Sequence, residues 1–265
     1  MAVQIGAGMQ AAVFDFEEAG NFSGAMKEYR DNANLATNLQ HEYSLHVSVR
    51  HAFDRYERIV KSGVRVPRVR GHVSAGDVVY WKHNLARFPA AKALSGHFYP
   101  RDDVDVPLDP ESVVKILDDS PSKHCLARTY LGRENGHFTR EDFSLRNFPL
   151  YLKPIEELGL DVKALASAMG KAFAIMHWGA GVDGDDVEFV LGSSVARPAF
   201  KGAIVTGDNQ LFIPHYGKSP ELYAAFKDGY MDAGQAILKI WGMESKFNME
   251  DFMKEYEEYA EDFLG

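Results

Sequence analysis

The sequence predicts an α+β chain in two parts, a small β-rich lobe over residues 1–132 and a mainly helical lobe over residues 133–265. Three observations predict it. Residues 3–14, VQIGAGMQAAVF, read as two short strands around a glycine turn. Farther on, Leu165, Met169, Phe173 and Met176 recur at the spacing of one apolar helical face, as do Leu222, Phe226, Tyr230, Ala233 and Ile237. Between those two helices the pattern breaks at Gly179–Ala180–Gly181. An acidic loop, Asp183–Gly184–Asp185–Asp186, and an apolar run, Val187–Leu191, follow.

The other elements follow in order. Gly24-Ala25-Met26-Lys27 belongs to a strand after a polar turn, and residues 34–56 form a helix carrying Glu42. Val66–Val69 and Asp77–Trp81 read as strands on either side of the turn Ser74–Gly76. Asp109 caps a short helix over 110–117, and residues 125–132 alternate as a strand. Phe148–Leu158 reads as a helix interrupted by Pro154, and Ser193–Gly217 as irregular chain. Pro220 opens the next helix, and the acidic segment 249–263 closes the chain with Phe252, Tyr256, Tyr259 and Phe263 at helical period. Gly170, inside a helix, requires a close neighbour to justify its entropic cost.

Composition bounds the function. The 265 residues carry a net charge of −9, which argues against a broad cationic surface for nucleic acid or anionic membrane. The single cysteine, Cys125, can form no disulfide within the chain and supplies no thiolate zinc site. No run of 18 apolar residues exists, so no membrane-spanning helix is expected. The first residues lack the basic and long apolar regions of a secretory signal. A cytoplasmic protein without nucleic-acid or membrane partners is the expectation.

Two readings stand for the acidic loop. One is a solvated turn between core elements. The other is a set of carboxylates at the mouth of a cleft. His46 and His51, five residues apart, have poor helical spacing for a shared metal.

Gly6, Gly8, Lys27, Glu42 and Asp183 stand in the order in which protein-kinase-like proteins carry their phosphate loop, strand lysine, helix glutamate and catalytic aspartate. In this resemblance Asp183–Leu191 is similar to a catalytic loop followed by an apolar strand. Asp183 takes the aspartate's place and Glu188 that of the metal-binding asparagine. A narrower resemblance is to a fungal family of unknown function often mislabelled as zinc-finger proteins. It rests on Leu126–Arg133, Phe148–Leu152, Glu157–Leu160, Met176–Trp178, Val182–Gly192 and Leu222–Tyr230.

The departures from the kinase pattern shape the expectation. After Gly192 no second acidic strand motif follows; Asp208, in a Gly-Asp-Asn-Gln turn, is the only aspartate before Phe212. The resemblance therefore implies a two-lobed kinase-like fold that lacks the second metal-binding motif. It also implies natural-product chemistry: a metal-free, cofactor-free cyclase of the Diels–Alder type, norbornene formation included, in fungal terpenoid biosynthesis. Its partner would be a hydrophobic small-molecule substrate, and Lys27, His177, Asp183, Asp186 and Glu188 its candidate catalytic residues. Trp178 and Tyr130 would pack nearby. An ATP-dependent small-molecule phosphotransferase and a non-catalytic pseudokinase module are the two alternatives.

Overall fold

The N-terminal glycine hairpin forms as expected, with β1 (Val3–Ala7) antiparallel to β2 (Ala11–Glu18) and Gly6 opposite Val13. The structure, a computed structural model, describes residues 3–7, 11–18, 22–29, 33–67, 69–75, 78–83, 99–100, 109–118, 127–136, 139, 143–145, 147–184, 187–192, 199–204 and 209–264. Cys125, Asp186 and Asp208 lie outside the described residues.

β3 (Phe22–Tyr29), β5 (Val69–Ala75) and β6 (Val78–His83) complete a first antiparallel sheet of order β1-β2-β3-β6-β5. Helix α1 (Ala33–Val60) is inserted between β3 and the short β4 (Val64–Arg65), and it touches β3, β5 and β6. Its inward face is Val49, Ala52, Phe53, Tyr56 and Val60, all buried. Polar side chains pin the chain that returns along α1. The buried His46 donates through Nε2–H to the Pro67 carbonyl (2.8 Å), and Arg50 donates to the Val66 carbonyl (2.8 Å). Asp109 caps α2 (Pro110–Asp118), accepting from the Ser112 amide at 2.9 Å.

The second sheet has the order β4-β10-β9-β7-β8, with β7 (Ala127–Tyr130), β8 (Phe148–Tyr151), β9 (Val187–Gly192) and β10 (Ala199–Ile204). It draws β4 and β7 from before residue 132 and β8, β9 and β10 from after it. Two expectations are corrected here. Phe148–Tyr151 is a strand, parallel to β7, and the helix α3 (Leu152–Glu157) starts only beyond it. Pro149 fits because β8 is an edge strand, where a missing N–H is tolerated. Pro154 fits because the first helical turn has no intrahelical partner for its N–H. The second correction is β10, in the stretch expected to be irregular. Its small residues and the preceding Pro198 hide any alternation, and pairing with β9 from Ala199↔Gly192 to Ile204↔Val187 makes it a strand.

Helix α4 (Val162–Ala174) is capped by Asp161, which accepts from the Ala164 amide at 3.0 Å. It runs on as a π-helical turn, Ile175–Ala180, and stops at Gly181 in the left-handed region (φ +69°). After the short α5 (Asn209–Phe212), α6 (Pro220–Ile240) packs against α4 more extensively than any other pair of elements. The expected face of α6, from Leu222 to Ile237, is buried throughout. α7 (Met249–Leu264) anchors through Met249 and Met253. The core lies between α4 and α6 and one face of the second sheet, with Phe173 touching Phe189 at 5.5 Å and Phe226 at 6.0 Å between ring centroids.

Gly170 has the close neighbour its position demands. A methyl group there would sit 2.0 Å from the Phe226 carbonyl oxygen, and one at Gly229 would sit 2.5 Å from that of Ser167. Two opposed effects act on Gly170→Ala. Helix propensity favours alanine by roughly 0.5–1 kcal/mol. Separating two packed helices costs about 1–3 kcal/mol, because the obstructing atom is backbone and cannot turn aside. We predict a net loss of about 1–2 kcal/mol in urea unfolding; an unchanged or raised midpoint would contradict the close crossing.

Candidate functional site

The resemblance directs attention to the start of β9, and the structure places an ion pair there. Glu188 is 7% exposed, and its Oε1 lies 3.0 Å from Arg128 Nη2 on β7. The strand registers explain the encounter. Arg128 stands opposite Val190, so Glu188 is its diagonal neighbour on the same face of the sheet. The other face carries Ala127, Phe148, Leu150, Phe189 and Leu191, all buried in the core. A carboxylate taken this far from water needs a cation, and Arg128 supplies it.

Aromatic groups extend the pair into a packed cluster in which Tyr130 and Phe212 are buried. Arg128 Nη1 donates to the Tyr130 hydroxyl over a long 3.4 Å. The Tyr130 ring packs at 5.6 Å from Tyr151 and edge-on at 4.8 Å from Phe212. The chain after β7 folds over Tyr151. Arg133 lies 5.8 Å from its ring centre, and a side chain at Gly136 would run into that ring. Backbone bonds hold this turn in place: the Leu152 and Lys153 amides donate to the Arg133 and Glu134 carbonyls at 3.1 and 3.0 Å. Two guanidinium groups and two phenols thus meet on and beside β7 and β8.

His177 belongs to a second arrangement. The π-helical turn carries its half-buried ring among Phe173, Tyr230 and Phe252. Its Nε2 bonds the Asp183 backbone carbonyl, and its Nδ1 lies 2.8 Å from the Tyr230 hydroxyl. A carbonyl only accepts, so Nε2 carries the proton and Nδ1 accepts from Tyr230 O–H. Both ring nitrogens are engaged in the neutral tautomer. Burial holds the imidazole below its ordinary pKa, against the opposing pull of the Asp183 carbonyl and charge. Burial pushes the Tyr230 phenol well above its usual range. His177 therefore ties the acidic loop to α6 in this arrangement.

The remaining expected site residues are dispersed. Asp183 is exposed at the head of the loop, followed by Gly184 with φ +75° against the Phe173 ring. Lys27 is on β3, opposite Val13 and Trp81. Glu42 is on α1, half-buried. Asp186 lies outside the described residues. Reading the sequence alone missed Arg128 as the partner of Glu188. The signal was a charged residue between the buried strand positions Ala127 and Thr129. Tyr230 was read as core, and its hydroxyl's partner depends on the helix crossing. Among the described residues no group of three or more His, Cys, Asp or Glu side chains is arranged to hold a metal ion, and no helix is long and apolar enough to cross a membrane. A groove of about 630 Å³ beside the end of α6 and the start of α7 contains none of the expected catalytic residues.

The chain matches no protein-family profile and no curated protein sequence.

The ion pair and the histidines each give a test. Arg128→Met removes the cation that lies 3.0 Å from the buried Glu188. The expected loss is about 2–3 kcal/mol, below the figure for a fully buried pair because Arg128 retains some solvent. The double variant Arg128→Met/Glu188→Met should recover most of that loss, and equal losses in single and double variants would refute the pairing. Burial also lowers the pKa of His46, with a further contribution from the Arg50 charge. Between the ordinary value of 6.5 and the lower native values, the unfolded chain binds more protons than the native one. Stability from these histidines is full above pH 6.5 and declines as pH falls below it. Urea unfolding from neutral to mildly acidic pH should show that slope, reduced in His46→Gln/His177→Gln; an unchanged slope would rule the histidines out as its source.

Proposed function

We propose that this chain is a protein-kinase-like fold that no longer transfers phosphate and instead binds an apolar small molecule, promoting its metal-free intramolecular cyclisation. The reaction class is the Diels–Alder type of fungal terpenoid biosynthesis implied by the sequence resemblance. The observation that carries the loss of phosphotransfer is the ion pair of Glu188. In the kinase-like resemblance this residue takes the metal-ligand position, and Arg128 lies 3.0 Å from it. Phosphoryl transfer relies on metal ions bridging the phosphates, held by carboxylate and amide ligands. A carboxylate engaged with a guanidinium is a poor ligand for that purpose. β10, which follows in the place of the second acidic motif, carries Lys201 and no carboxylate.

Other features support the kinase-like part of the reading. Lys27 is on the third strand, and the helix carrying Glu42 follows that strand directly. A glycine hairpin forms the first two strands. For the cyclisation, the cluster of Arg128, Tyr130, Tyr151 and Arg133 supplies suitable chemistry, with the Arg133–Gly136 turn as the part that would have to yield to a substrate. Aromatic walls favour one folded conformer of a flexible polyene, which lowers a barrier through proximity and orientation. A guanidinium or phenol donor directed at a carbonyl on the dienophile would lower its acceptor orbital without any proton leaving the protein.

Thermal unfolding with millimolar Mg–ATP tests the first part. No rise in melting temperature is expected, and a clear rise would favour the phosphotransferase. Incubation with a terpenoid carrying a tethered diene and an activated alkene tests the second. Cyclised product above the uncatalysed rate is expected, falling at least about tenfold in Tyr130→Phe/Tyr151→Ala. A rate equal to background in the wild type would eliminate the cyclase.

A further inference from the structure

The ends of α1 and α6 together expose apolar side chains beside cations. Ile59, Ile240 and Trp241 are 54%, 45% and 49% exposed, three of the five large apolar side chains exposed among the described residues. They converge through one contact. The Arg55 guanidinium lies over the Trp241 ring at 4.8 Å, and Arg55 stands one turn from Ile59 on the same face of α1. Arg58 adds a cation to that face, and Lys239 adds one beside Ile240; both are exposed.

Two acids of α1 beside the patch are engaged, while the exposed Glu244 lies across the groove from Lys239. Asp54 is paired with Arg50 at 2.6 Å. Glu57 accepts from the Ser62 hydroxyl and the Gly63 amide at the end of α1. Among the described residues Arg55, Arg58 and Lys239 form no ion pair. The result is a cationic, aromatic patch on a molecule of net charge −9. Basic residues at helix C-termini do complement the helix dipole. That effect accounts for the cations and leaves the exposed tryptophan and isoleucines unexplained.

We propose that this patch is a docking surface for a protein partner, specifically a short acidic segment bearing an aromatic or branched aliphatic anchor. Charge selects that occupant over others. Two copies of this chain meeting patch to patch would set Arg55, Arg58 and Lys239 against themselves. A lipid surface or a nucleic acid would meet three cations and the field of a net −9 molecule, a weak match for a polyanion. A segment with a few carboxylates around one apolar anchor matches both the number of cations and the exposed ring. Trp and Arg are also the residues that dominate binding energy at protein interfaces. The proposal is independent of the cyclase reading, because none of these residues belongs to the Arg128–Glu188 cluster.

Selection of displayed random-sequence peptides against the full chain tests it. Enriched peptides should carry Asp or Glu flanking a Leu, Phe or Trp. As synthetic peptides their binding should weaken about tenfold or more in Trp241→Ser and, separately, in Arg58→Glu. It should also weaken with added salt. Arg58 is exposed and among the described residues forms no hydrogen bond or ion pair, so its variant loses only a small helix-dipole contribution and stays informative if Trp241→Ser is unstable. The proposal is overturned if no peptide is enriched, if enriched peptides lack acidic residues, or if both variants bind them as tightly as the wild type. Retention on phosphatidylserine vesicles, lost in the same variants, would assign the patch to membranes and overturn it as well.

Discussion

The close crossing of α4 and α6 is the constraint on which the rest of the helical part depends. Gly170 and Gly229 let each backbone approach the other to a separation that no side chain would permit. Phe173, Phe226 and Phe189 then close the core against the second sheet. The same approach lets His177 at the end of α4 reach the Tyr230 hydroxyl on α6. The π-helical turn matters here because it rotates the chain just where His177 leaves the core. One packing decision, taken with two glycines, thus sets where the acidic loop begins.

From that loop the chain enters β9, and the sheet register brings Glu188 beside Arg128. The two arrangements play different parts. His177 offers no spare nitrogen in its neutral form, so its chemistry is to hold the Asp183 carbonyl. Glu188 and Arg128 neutralise one another yet stay next to phenols that line the same side. Acidic residues that seemed equivalent in sequence therefore divide. One is an exposed loop residue whose backbone is held, and another is a buried strand residue whose charge is cancelled.

Much of this was legible beforehand, for physical reasons that can be named. The α4 and α6 faces were visible because helical burial imposes a 3.6-residue period on Leu165–Met176 and Leu222–Ile237. Asp109 announced its helix because capping is a local interaction. The sequence misled where pairing partners decide. Phe148 and Tyr151 favour a strand, but Pro149 argues against one and only β7 alongside decides it. Ala199–Ile204 is likewise ordered by β9. At the site, Glu188 could be singled out, but its pairing with Arg128 depends on a register between residues about sixty positions apart. The α+β class was accessible from local pattern, whereas the neutralisation of the site was a non-local fact.

Pro149 carries a consequence beyond the local geometry of β8. The second sheet ends at that strand, and an open edge offers a template on which a foreign strand can add. A proline in the middle of a four-residue edge leaves that template short of a donor, and the strand is too brief to recruit a long partner. Tyr151 at its end is covered by the Arg133–Gly136 turn. The sheet is thereby protected at that edge against adding a strand from a second molecule.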